Sequence, residues 1–231
     1  MLTNFEIEKF YNDYVAVNFS SAYGEKYLRL PFTLNTGKWK WEGKDLARII
    51  AVLEFREFML QLNRTFKHIL TFNISLPNGD PELEYVKYEQ RDNFNFQDDQ
   101  IKYDLHQIDL PKKDYDFCMV NQTLEHLYNP ALAIKNIYDH LAKGGIFYLN
   151  VPAMNIMHDT PFHFVTGFTP MGLGIMLQEQ GFKILKIGQW GNKDYLKKII
   201  STGWTDWKSL GRFATYNDAN CPVITWCFVT K

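Results

Sequence analysis

The chain has 231 residues, 46% hydrophobic and 22% charged, with a formal net charge of −1. These values fit one large or two small globular domains, and the missing basic excess argues against a general nucleic-acid binder. Three cysteines without metal-ligand spacing argue against a disulfide framework; with no leader-like N-terminus and no apolar run near ~18 residues, the expectation is a cytoplasmic protein without a membrane span.

Ile7, Phe10, Tyr11 and Tyr14 recur at helical spacing, which predicts a short amphipathic helix over residues 4–15. Residues 20–43 are irregular, punctuated by Gly24, Pro31, Gly37 and Gly43. Trp39 and Trp41 in that stretch serve either as packing or as a wall of a substrate cleft. Residues 1–43 therefore read as an N-terminal helix and irregular cap, and residues 44–231 as the main domain. The cap either covers a cleft or pairs two copies as a homodimer.

A helix is expected over 44–62, with Leu46, Ile49, Ile50 and Leu53 on one face. Strands are expected at 67–74, 83–89, 101–108 and 115–120. A helix follows over 130–141, opened by Asn129 and Pro130 and ended by Gly144-Gly145. Further strands are expected at 146–151, 182–187 and 222–230, with a helix between Thr169-Pro170 and Gly181. Strands alternating with helices predict an α/β, Rossmann-like, mainly parallel seven-stranded sheet with helices on both faces.

The most informative stretch is 116–127, DFCMVNQTLEHL. Phe117, Cys118, Met119 and Val120 form a continuous apolar run, as a central parallel strand covered on both faces requires. Asn121, Gln122 and Thr123 place polar groups at its carboxyl end, where ligands bind in open α/β sheets. Glu125 and His126 follow at once.

Leu124-Glu125-His126, then a helix, then Lys143-Gly144-Gly145 before the next strand, resembles the centre of class I S-adenosylmethionine-dependent methyltransferases of the type 11 group. The later GFTPMGLGIMLQEQGF and Trp190-Gly191-Asn192 resemble a subgroup of the same enzymes, and the resemblance spans about residues 66–231. It implies S-adenosylmethionine as cofactor and an antiparallel last strand. Carried over, Asn73 and Ser75 stand where the family has the glycines of its Gly-x-Gly turn. Glu89 stands at the acidic position for the ribose hydroxyls, a solvated strand-end carboxylate being the alternative. Asp109, or Asp104 in another register, falls near the adenine, and Asn121 and Gln122 where the cleft floor meets the methyl donor.

Methyl transfer to a hydroxyl profits from a general base with a near-neutral pKa, and histidine supplies one. His126 follows the strand end directly, and His158 and His163 lie in the loop after the next strand. His158, Asp159 and His163 are sound ligand types for zinc or iron, but their spacing matches no metal motif, so no metal site is expected. Two functions remain open, beside a cleft kept for a different nucleotide-like ligand. One is methyl transfer to a small-molecule or saccharide-precursor acceptor, as O-methylation with a histidine base. The other is a non-catalytic interaction or scaffold module, favoured by the lost glycines and by the Pro- and Gly-containing segment after the first strand.

Overall fold

The computed structural model describes residues 2–19, 45–72, 80–94, 104–108, 110, 114–204, 209, 211–213 and 216–231. The expectations for residues 20–43, Asn73, Ser75 and Asp109 lie outside the described residues.

Helix α1 (Asn4–Phe10) starts from a reciprocal cap in which the Thr3 side chain accepts from the Glu6 amide and the Glu6 carboxylate accepts from the Thr3 amide. It runs on as a wider turn to Val15 and buries Phe10. Helix α2 (Leu46–Leu62) starts at Asp45, whose carboxylate accepts from the Arg48 amide at 3.0 Å, and ends at left-handed Asn63. The Tyr195 hydroxyl donates to the same carboxylate at 3.1 Å, tying the start of α2 to the opposite end of the chain.

Six strands follow among the described residues: β1 (Thr65–Phe72), β2 (Lys87–Phe94), β3 (Tyr115–Asn121), β4 (Leu141–Pro152), β5 (Lys183–Trp190) and β6 (Ile224–Thr230). Their order is β2-β1-β3-β4-β6-β5. The pairs from β2 to β4 are parallel, while β6 runs antiparallel between β4 and β5. This is the expected Rossmann-like α/β class with an antiparallel last strand, with six strands among the described residues against the seven expected. Asp104–Ile108 is a turn, not the end of a strand.

Helix α3 (Pro130–His140) has Asn129 as its cap, α4 (Pro170–Glu179) has Thr169, and α5 (Lys193–Thr202) has Asn192. Side chains alternate across the sheet. Phe117, Met119, Tyr148, Trp226 and Phe228 pack with Phe55 of α2 and Ile199 of α5. Cys118, Val120, Phe147, Leu149 and Cys227 pack with Ile134 of α3, Leu173 of α4 and Phe10 of α1. Both faces of β3 are therefore covered, which is why its sequence shows no polar alternation.

Three boundaries move. The strand expected at 83–89 is displaced to Lys87–Phe94, because Pro81 opens a 3-10 turn over Pro81–Tyr85. Most of β2 is exposed, so it lacks the apolar alternation that marks a half-buried strand. Helix α3 ends at His140, and Lys143-Gly144-Gly145 form the irregular start of β4, where the register jumps from Leu141 to Ile146.

Candidate functional site

The strand order reverses between β1 and β3, since β1 leads outward to β2 and β3 leads the other way. The crevice beyond their carboxyl ends is the place where open α/β sheets bind ligands. β3 ends in Asn121, which pairs directly with Asn150 of β4. That register sets two amides side by side: Asn150 Nδ2 donates to Asn121 Oδ1 at 2.6 Å. Asn121 Nδ2 donates to Asp80 Oδ2 at 2.9 Å, and Asn150 Nδ2 also reaches Glu82 Oε1 at 3.2 Å.

Glu82 is fully buried. Arg48 of α2 grips it in a fork, with Nη1 on Oε1 and Nη2 on Oε2 at 2.8 Å, and stands 3.5 Å from Asp80. Bidentate geometry makes such a pair strong and directional. Two carboxylates thus face one guanidinium beside the crevice.

Gln122 closes the strand end in a left-handed conformation with φ of 48°. Its amide nitrogen donates to the Asn150 carbonyl at 2.8 Å, and its side chain donates to Asn150 Oδ1 at 2.8 Å. A non-glycine residue in that region costs free energy and is held by its surroundings. Here it turns the chain into the 3-10 turn Leu124–His126.

That turn and the loop after β4 are sewn together. The Glu125 carbonyl accepts from the amides of Phe164 at 2.9 Å and Val165 at 3.2 Å. The loop closes where Phe168 N donates to the Pro152 carbonyl at 2.8 Å. Gly167 permits this closure, because a Cβ there would stand 2.1 Å from the Ala153 carbonyl oxygen. The result brings His126, His158 and His163 together, with ring centroids 4.8 to 5.7 Å apart.

His126 Nδ1 lies 2.8 Å from the Phe162 carbonyl and His158 Nδ1 lies 2.9 Å from the Ile156 carbonyl. A carbonyl only accepts, so each Nδ1 carries the proton and each Nε2 presents a lone pair. Burial pushes the His126 and His163 imidazoles below their usual pKa. Glu125 is fully buried and makes no side-chain hydrogen bond among the described residues; burial raises its carboxyl to about 8.

A cleft of about 260 Å³ opens beside these groups, lined among others by Arg48, Gln122, Asn155, His158 and Trp204. His158 belongs to both the cleft and the histidine cluster. Glu89 lies elsewhere: it is the third residue of β2, exposed, and the strand runs on to Phe94. The strand end near the crevice is therefore Asn93 and Phe94, with Asn93 Oδ1 accepting from Thr71 Oγ1 at 2.7 Å. Asp104 accepts from the backbone amide of His106 and contacts its ring, 2.7 Å from Nδ1.

Arg48, Asp80, Glu82, Asn150 and Trp204 escaped the sequence reading. Asn150 had a signal, since a lone amide near the end of a buried strand is unusual among apolar neighbours. Arg48 and Glu82 had none, because helical charges usually face solvent.

A parallel sheet with one inserted antiparallel strand and a polar crevice at its reversal point defines a Rossmann-like methyltransferase fold. The sequence profile of the family described as Methyltransferase domain matches residues 44–187. The chain therefore belongs to that family, within the S-adenosylmethionine-dependent class I methyltransferases, and its enzyme class is methyltransferase.

Solved structures share the fold at low identity. The N-methyltransferase NodS from Bradyrhizobium japonicum, in complex with S-adenosyl-L-homocysteine, is 13% identical with a TM-score of 0.52, over 90% of this chain and 98% of its own. An S-adenosylmethionine-dependent methyltransferase from Clostridium acetobutylicum is 12% identical with a TM-score of 0.50, over 90% and 97%. The [4+2]-cyclase SpnF is 14% identical with a TM-score of 0.50, over 92% and 96%. Among curated proteins, none matches this sequence.

Proposed function

We propose that the protein transfers the methyl group of S-adenosylmethionine to a hydroxyl oxygen of a small-molecule or saccharide-precursor acceptor. The observation that carries this reading is the shared wall. Gln122 follows the last residue of β3 at the donor crevice and also lines the cleft that holds His158. This supports a donor and an acceptor meeting at one strand end.

The cleft volume lies near the lower end for small-molecule pockets and suits an acceptor of about one sugar ring. Trp204 offers a flat apolar face, while Arg48, Gln122 and Asn155 offer hydrogen bonds to hydroxyls. Bound S-adenosylmethionine supplies an electrophilic methyl carbon. Asn121 and Gln122 would floor the donor site and the cleft would orient the acceptor hydroxyl, so that most of the acceleration would come from alignment. The histidine cluster, with His158 nearest the cleft, would accept the proton that the acceptor hydroxyl gives up.

Calorimetric titration with S-adenosylmethionine and S-adenosylhomocysteine tests the donor side. Saturable heat with both is expected; none at millimolar concentration would leave the fold as a non-catalytic interaction module. With binding in hand, a panel of sugar and small alcohol acceptors tests the rest. His158→Ala should lower kcat about 100-fold or more while S-adenosylhomocysteine affinity stays within about twofold. Equal loss of both would sink the acceptor-side assignment.

A further inference from the structure

We propose that His126, His158 and His163, backed by Glu125, form a binding site for one divalent transition-metal cation of the zinc type.

One potential ligand atom from each imidazole lies within 4.8 Å of the other two. Ligand nitrogens on a tetrahedral zinc, ~2.0–2.1 Å from the metal, stand roughly 3.3 Å apart. Metal binding would draw the three nitrogens together by roughly 1.5 Å. The Nδ1 protons of His126 and His158 are committed to the Phe162 and Ile156 carbonyls, so both rings are oriented with Nε2 free. Anchoring the non-ligating nitrogen is how proteins prepare histidine for a metal.

Two buried polar groups are unexplained without a cation. His163 is 8% exposed, and neither ring nitrogen has a hydrogen-bond partner among the described residues. Glu125 is 0% exposed with both carboxylate oxygens in the same condition, and its Oε1 lies 3.9 Å from His126 Nε2. Unsatisfied buried polar groups cost free energy and call for a reason. A cation answers for both at once, as ligand acceptor for His163 and as charge partner for Glu125. Asp159 is the other acid facing the cluster, 4.0 Å from His158 Nε2. Nitrogen-rich ligation with a carboxylate nearby suits zinc, iron or cobalt rather than calcium or magnesium.

The site does not depend on the acceptor chemistry proposed above. It bears on that chemistry because the imidazoles it occupies could no longer accept the hydroxyl proton; a cation at the cleft wall would instead lower the pKa of a coordinated hydroxyl, whose proton would leave to solvent in the cleft.

The test uses the full chain, stripped with a chelator and titrated with zinc chloride and cobalt chloride in the absence of S-adenosylmethionine and acceptor. One equivalent bound per chain, visible d–d absorption for cobalt, and a raised melting temperature are expected. His126→Ala and His163→Ala should abolish stoichiometric binding, and Glu125→Gln should weaken it by about 10–100-fold. His158 is partly exposed, so His158→Ala keeps the fold and should also lose the cation. His68→Ala, in β1, should bind as the parent does. No uptake by the stripped chain, or uptake that survives all three histidine variants, overturns the proposal. Because this readout needs no methyl transfer, its failure is separate from failure of the enzymatic reading.

Discussion

Arg48 and Glu82 show how a single buried pair is held beside the crevice. Glu82 is wholly buried, and a buried charge is tolerated only when it is paired and hydrogen-bonded. The guanidinium fork supplies both, and the Asn150 amide adds a third contact. Glu82→Ala leaves Arg48 with Asp80 alone, at 3.5 Å. We expect a loss of about 3–5 kcal/mol in urea denaturation, because the uncompensated charge stays buried. The double variant Arg48→Met/Glu82→Leu should recover most of that stability in the same urea series. If both variants are equally unstable, the pair is not what costs the energy.

At the scale of elements, the loop over residues 153–168 and the start of α2 decide where the histidines and Arg48 stand. Gly167→Ala should cost about 1–3 kcal/mol, since the added Cβ forces the loop ends apart and opens the Phe168–Pro152 hydrogen bond. The same variant should reduce methyl transfer and cation uptake together, because it displaces His158 and His163 relative to His126. Retained activity with lost stability would mean that the loop tolerates the shift. Asp45→Ala removes the acceptor for both the Arg48 amide and the Tyr195 hydroxyl. A fall of about 1–2 kcal/mol in urea is expected, with faster amide exchange confined to the first turn of α2. The elements themselves were unequally legible. β3 and its Leu124–His126 turn stood out because a strand covered on both faces must be uniformly apolar and its end must be polar. β2 did not, since an exposed strand carries no burial pattern to read.

The whole molecule is held by β6 and the aromatic layer beneath α2. Phe228 stacks on Phe58 with centroids 3.8 Å apart and meets Tyr148 at 4.5 Å and Phe55 at 5.6 Å. Its strand joins β4 to β5, so the layer couples the last residues of the chain to the strand that carries Asn150. Phe228→Ala should cost about 3–5 kcal/mol, read in thermal or urea unfolding, with one cooperative transition retained. A smaller loss would show that Phe55 and Phe58 collapse into the space.

By itself the sequence determined the α/β class, the sheet centre, the caps at Asn129 and Thr169 and the family, because each rests on local periodicity, capping chemistry or an ordered motif. It also pointed to His126, His158 and His163, as histidines following strand ends. Only the tertiary structure decided that these three share one cluster, that Glu125 lies buried beside them, and that Arg48 and Glu82 meet across the crevice. The Arg48–Glu82 contact and the approach of His126 to His158 and His163 join residues far apart in the chain, and no local pattern encodes which distant side chain a buried charge will find. The strand reading placed Glu89 at a carboxyl end that the folded β2 extends past, because the pairing of β2 with β1 sets where that strand stops.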